Sequence, residues 1–148
     1  MNSTWSPEDE PHVDPITLAG WGRLLLRGTA LSIVIGLSVI LMGLIRLVEK
    51  PAHGVSRPWT PWITQWVCRS AFAILGMRHE TQGARMTRPG AVVSNHVSWL
   101  DIFALNARKR IYFVSKSEVA GWPGIGLLAK ITGTVFIARD PRQAKHQQ

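Results

Sequence analysis

Between Arg27 and Arg46 the chain runs for 18 residues, Gly28 to Ile45, without a charged side chain, reading GTALSIVIGLSVILMGLI. A helix of that length extends about 27 Å, close to the roughly 30 Å hydrocarbon thickness of a bilayer, and Leu47 and Val48 can lengthen it. The run predicts a transmembrane helix over residues 28–48. A cleaved signal peptide fits less well, because 27 residues, acidic at their start, precede the run and no small-residue cleavage site follows Ile45. A buried helix of a water-soluble core fits worse still, since nothing polar interrupts the run to supply a wet face.

A second apolar stretch, residues 59–77, differs in kind. Trp59, Trp62 and Trp66 recur at helical spacing, while Gln65 and Arg69 break the run. Indole rings keep an apolar body in lipid and an N–H in water, so this segment suits the headgroup boundary, as an interfacial or second membrane helix. An ordinary core helix is the competing reading. Pro51, Gly54, Pro58 and Pro61 mark the connection between the two stretches as a turn. Arg23 and Arg27 lead the span and Arg46, Lys50 and Arg57 follow it, a bias of one positive charge that places everything after residue 46 in the cytoplasm. The membrane anchor is thus residues 21–77, preceded by an acidic, proline-bearing tail over 1–20 expected to be disordered.

Composition narrows the partners. Hydrophobic residues make up 46% of the 148, too much apolar surface for a generally disordered chain. Lys and Arg total 17 against 9 acids, and four of those acids (Glu8, Asp9, Glu10, Asp14) lie in the tail, so the remainder is strongly basic. An anionic partner follows, and membrane lipid is favoured. Nucleic acid is excluded as a partner because the basic residues do not gather on an evident reading helix. The single cysteine, Cys68, rules out an internal disulfide framework and a cysteine-based zinc cluster, and reads as a small buried apolar residue.

After Met77 short apolar runs alternate with turn residues. Residues 91–94 (AVVS), 111–114 (IYFV) and 134–138 (TVFIA) predict three short buried strands. Ser98 with Asp101, and Ser115 with Glu118, have the capping spacing of helix starts between them. Gly121, Pro123, Gly124 and Gly126 interrupt the second helix, leaving a turn that feeds a helix at 127–131. The order strand, helix, strand, helix, strand predicts an α/β layer with parallel pairing. Residues 78–148 are few for one self-sufficient core and leave sheet edges open, so the expectation is the front part of a longer domain.

The sharpest local feature is SNHVSWLD, residues 94–101, where the first expected strand hands over to a helix. On one continuous helix His96 and Asp101 would point about 140° apart. With His96 in the turn and Asp101 in the first helical turn, the carboxylate can face the imidazole, fix its tautomer and leave the other ring nitrogen as a base. The competing reading makes Asp101 the capping acid for Ser98 and His96 a bystander. A serine hydrolase is less attractive, since G-x-S-x-G is absent, and a metal site needs more ligands than these two residues.

SNHVSWLD is followed by YFVSKSEVAGWPGIG and then GTVFIARD. This arrangement, behind a membrane anchor, resembles the glycerolipid acyltransferases of the 1-acylglycerol-3-phosphate acyltransferase family over roughly residues 78–148. His96 and Asp101 match the family's H-x-x-x-x-D motif, which implies a base and its orienting carboxylate. Phe136, Ile137 and Arg139 match the second motif, which implies that Arg139 grips the acceptor's phosphate, with Ala138 departing from the usual residue. A solvated charge at a strand end is the plain alternative for Arg139. Lys116, Glu118, Pro123 and Gly126 resemble the intervening stretch. The family's Phe-Pro-Glu-Gly-Thr loop and its proline-containing strand do not occur in these 148 residues.

The resemblance implies a membrane-bound enzyme that moves a fatty acyl group from acyl-CoA or acyl carrier protein to the hydroxyl of a lysophospholipid, by default lysophosphatidic acid. No cofactor is required beyond the donor, and Arg108, Lys109 and Arg110 can attract the acidic donor or anionic lipid. Two alternatives stand beside it: an acyltransferase acting on a lyso-aminolipid, and a non-enzymatic basic module that binds anionic lipid or a protein partner.

Overall fold

The computed structural model describes residues 15–84 and 86–138. Helix α1, Leu18–His53, opens with the Thr17 hydroxyl accepting the Gly20 N–H at 3.1 Å. It outruns the expected span at both ends and continues through Pro51. Proline there removes only the hydrogen bond to Leu47 in the last turn, which a helix end tolerates. Gly54 then turns the chain with φ of 61°. Helix α2, Thr60–Leu75, starts with Pro61 in its first turn, where the missing N–H has no partner to lose.

Helices α1 and α2 form an antiparallel hairpin. Ser38 and Met42 of α1 are buried in it, and the Thr64 hydroxyl lies 3.8 Å from Met42 Sδ. Glu49 closes the corner. Its side chain is fully buried, and its carboxylate accepts the N–H of Trp59 at 2.8 Å, the N–H of Thr60 at 3.3 Å and the Thr60 hydroxyl at 3.0 Å. Arg46 pairs with the same carboxylate at 3.0 Å and donates to the Ser56 carbonyl at 3.2 Å. At the other end Arg27 donates to the Leu75 carbonyl at 2.8 Å.

Helix α3, Leu100–Arg108, packs on α2, with Phe103, Ala104 and Ala107 against Cys68 and Phe72. Cys68 is buried in that small core. Strand β1, Val114–Lys116, leads through a 3-10 turn, Ser117–Gly121, to α4, Ile125–Thr132, and then to β2, Val135–Ile137. The strands pair in parallel, with Val114 opposite Val135 and Lys116 opposite Ile137. Gly133, with φ of 86°, ends α4 in the left-handed conformation that an L side chain resists. Arg57, from the α1–α2 connection, donates to the Ile131 and Lys130 carbonyls and ties α4 to the hairpin.

The described chain is mostly helical, with this one strand pair. Two expectations are corrected. Residues 91–94 form no strand: they are exposed and without regular secondary structure, because a strand exists only through a neighbour and none pairs with them among the described residues. The strand expected at 111–114 is shifted to Val114–Lys116, where the register with β2 satisfies its backbone. The third expected strand holds as Val135–Ile137, and the expected helix at 127–131 as α4. The expected start at Ser115 is a 3-10 turn instead, whose Glu118 pairs with Lys116 Nζ at 3.0 Å. Among the described residues α1 alone is long and apolar enough to cross a membrane. Helix α2, at 16 residues, is sandwiched between α1 and α3 while Trp59, Trp62 and Trp66 stay exposed.

Candidate active site

Residues 95–99 enter α3 through a tight turn in which the Asp101 N–H reaches the Ser98 carbonyl at 3.1 Å. The first backbone N–H groups of a helix and the turn before it lack partners, and a carboxylate in the first turn can fold back onto them. Asp101 does so with a single oxygen. Its Oδ2 accepts the N–H of Val97 at 2.9 Å and of Ser98 at 3.0 Å, and lies 3.1 Å from His96 Nδ1. The Ser98 hydroxyl accepts the Leu100 N–H at 3.2 Å. Capping and pairing with His96 are therefore one arrangement rather than alternatives.

The electrostatics agree with the geometry. The N–H groups of Ser98 and Val97, and then His96, hold the Asp101 carboxyl below its ordinary range. An ionised carboxylate only accepts hydrogen bonds, so Nδ1 is the donor in this contact, and in the neutral imidazole Nε2 is then the nitrogen that carries the lone pair. The His96 side chain is 62% exposed and that of Asp101 29%, so the ring is open to a reactant while the carboxylate is largely covered.

Helix α3 is anchored from behind. Gln65 Nε2 and Arg69 Nε both donate to the Ala107 carbonyl, at 3.3 and 3.0 Å, satisfying an orphan acceptor at the helix end. Trp99 meets Phe103 edge-on at 5.5 Å beside the turn. Past the helix the Lys109 ammonium reaches the Met86 carbonyl at 2.9 Å, and the Arg110 guanidinium lies 3.6 Å over the Trp62 ring. Gln65 and Arg69 read in the sequence only as breaks in an apolar run. The signal that could have found them is their spacing, since Gln65 and Arg69, four residues apart, stand one turn above the other on α2.

Thus the structure brings His96 and Asp101 together, and Arg139 lies outside the described residues. Phe136 and Ile137 stand in β2. No three His, Cys, Asp or Glu side chains gather as a metal site among the described residues.

A hydrogen-bonded histidine and carboxylate at a helix start, five residues apart, is joined by direct sequence similarity. The acyltransferase family model matches residues 62–148, so the chain belongs to the acyltransferase family. Over 144 residues, 97% of its length, it is 57% identical to a lyso-ornithine lipid O-acyltransferase of Rhodobacter capsulatus, covering 52% of that protein. It is 33% identical over 136 residues to a protein of the same description from Rhizobium meliloti, with 88% of this chain and 43% of the relative covered. A 1-acyl-sn-glycerol-3-phosphate acyltransferase of Neisseria gonorrhoeae is 48% identical over 52 residues, 35% of this chain and 20% of that one. The chain spans about half the length of the lyso-ornithine lipid acyltransferases it matches. No solved structure matches it.

Proposed function

We propose that the protein transfers a fatty acyl group from an acyl thioester, carried by coenzyme A or acyl carrier protein, to the free hydroxyl of a lyso-ornithine lipid. The reaction takes place at the cytoplasmic face of a membrane. The observation that carries the reading is the 3.1 Å contact between His96 Nδ1 and Asp101 Oδ2 beside an exposed ring. His96 Nε2 takes the proton of the acceptor hydroxyl as its oxygen attacks the thioester carbonyl carbon. The tetrahedral intermediate collapses, the C–S bond breaks, and the imidazolium returns the proton to the departing thiolate. Asp101 keeps the ring in the required tautomer and balances its transient charge. Arg139 serves as the headgroup clamp, since its planar fork fits a carboxylate as well as a phosphate. In this reading β1 and β2 are neighbours in a larger parallel α/β sheet, with the site at one end of it.

The sequence alone makes lysophosphatidic acid the default acceptor. Similarity across 97% of the chain favours the lyso-ornithine lipid over an acceptor whose supporting match covers 35% of it. Lysophosphatidic acid is the second reading, supported by that shorter match at 48% identity.

The test is acyl transfer by the intact gene product in membranes, with both lysolipids offered and both donors compared. His96→Ala is expected to lower turnover about 10²- to 10⁴-fold with the protein still folded. Asp101→Asn lowers it less, and the double variant falls no further than His96→Ala, because the two act as one unit. Wild-type turnover in His96→Ala removes the proposal, and a higher kcat/KM for lysophosphatidic acid hands the acceptor to the second reading.

A further inference from the structure

Parallel strands place their amino ends together, and here the Val135 N–H donates to the Phe113 carbonyl at 2.8 Å just as both strands begin. Tyr112 precedes β1 and Thr134 precedes β2, so both side chains belong to that amino end. A cleft of about 450 Å³ opens there, between the strand starts, the end of α4 and the α1–α2 connection. Open α/β sheets ordinarily hold their ligands at the other, carboxyl end, where Arg139 follows β2 in the sequence. The cleft is therefore a second place, apart from the chemistry assigned above.

Its lining is cationic. Arg57 and Lys130 supply two full positive charges, and neither pairs with a carboxylate among the described residues: the carboxylates in ion pairs there are Glu49, Asp101 and Glu118, held by Arg46, His96 and Lys116. The one local negative end is that of α4, worth roughly half a charge. Arg57 already caps it, through the Ile131 carbonyl and, at 3.3 Å, the Lys130 carbonyl. Capping needs one cation and accounts for neither Lys130 nor the hydroxyls of Tyr112 and Thr134 beside it.

Gly133 forms the floor. A Cβ placed on it would stand 3.0 Å from Arg57 Cζ and Nε and 3.1 Å from Tyr112 Cε1, so the guanidinium and the phenol ring lie side by side above bare backbone. Burial first, and then the charge of Arg46, push the Arg57 guanidinium below its ordinary range. An anion in the cleft offsets that repulsion and replaces solvation that burial removed. A fork of N–H donors, an ammonium and two hydroxyls arriving from four segments exceed what the two oxygens of a carboxylate can use, and suit the several oxygens of a phosphate.

We propose that this cleft is a phosphate-binding site separate from the acyl-transfer centre, with Arg57 and Lys130 holding the charge and Tyr112 and Thr134 donating to the remaining oxygens. The phosphate is that of an anionic phospholipid headgroup or of a soluble phosphate. Because Arg57 belongs to the hairpin connection and the other three to α4 and the strand starts, a bound phosphate fastens the hairpin to the sheet. The site stands whether or not the acyl-transfer reading does.

The experiment is equilibrium dialysis of the full-length protein in neutral detergent against radiolabelled inorganic phosphate at fixed ionic strength. Saturable uptake of one phosphate per chain is expected. Lys130→Glu, at an exposed position, is expected to weaken it about tenfold or more and Tyr112→Phe a few fold, while Lys130→Arg retains it. His96→Ala and Arg139→Ala are expected to bind as the parent does. No saturable uptake, or uptake undiminished in a Lys130→Glu variant whose thermal unfolding midpoint matches the parent's, overturns the proposal; so does uptake lost in Arg139→Ala and kept in Lys130→Glu. Nanodiscs separate the two sources. Displacement of the label by phosphatidylglycerol but not by phosphatidylcholine supports a lipid headgroup, and retention in both supports a soluble phosphate.

Discussion

Asp101 illustrates how one oxygen serves local structure and chemistry together. The two backbone N–H groups that it accepts are those a helix start leaves unpaired, and the same contacts hold its carboxyl below the ordinary value of 3.8. A carboxyl depressed in the folded state contributes stability that is complete above its unfolded value and is lost as pH falls through the lower folded value. Acidification through the ordinary carboxylate range is therefore expected to leave the turn intact, with loss only at lower pH. Carboxyl carbon chemical shifts of detergent-solubilised protein, followed on acidification, check this: an Asp101 midpoint at or above 3.8 contradicts the hydrogen bonding described. The five-residue spacing was legible in the sequence because every partner of Asp101 lies within five positions. The sequence left open whether the residue caps or pairs, and only coordinates place three donors at one oxygen.

At the scale of elements, the hairpin depends on a residue to which the sequence reading gave no role. Glu49 lies in the last turns of α1 and caps the start of α2, whose own N-cap position, Trp59, has no side chain able to accept. Glu49→Ala leaves the Arg46 guanidinium and the first N–H groups of α2 without that acceptor. The expected loss is about 1–3 kcal/mol of stability, the usual cost of unmade buried hydrogen bonds. The thermal unfolding midpoint in detergent measures it, with Glu49→Gln intermediate because its amide oxygen still accepts. An unchanged midpoint in Glu49→Ala means the corner holds without its cap. The elements themselves were largely legible. Periodicity, Pro61 and the glycines located α2 and α4 well, while α1 ran on through a proline that costs little so near a helix end. The strand expected at 91–94 was not legible, since β pairing belongs to two segments and the sequence of one says nothing of its neighbour.

For the whole molecule, the distribution of apolar surface sets the kind of attachment to the membrane. A basic protein held by charge alone leaves the bilayer when salt screens the attraction, over a Debye length that shrinks to about 3 Å at 1 M. Burial of the exposed leucines and isoleucines of α1 has no such dependence. The protein is expected to stay with the membrane pellet through high salt and alkaline carbonate and to leave only with detergent. Release by salt assigns the attachment to Arg108, Lys109, Arg110 and their like rather than to the hairpin.

The sequence by itself determined a long apolar helix, a tryptophan-bearing partner and a histidine–aspartate turn, because each rests on interactions within a few positions along the chain. The tertiary structure alone decided that α2 folds back between α1 and α3 and that Glu49, Gln65 and Arg69 are fasteners. Those contacts join residues 10 to 48 positions apart. Whether such groups meet depends on how the helices pack, and local pattern carries no record of that.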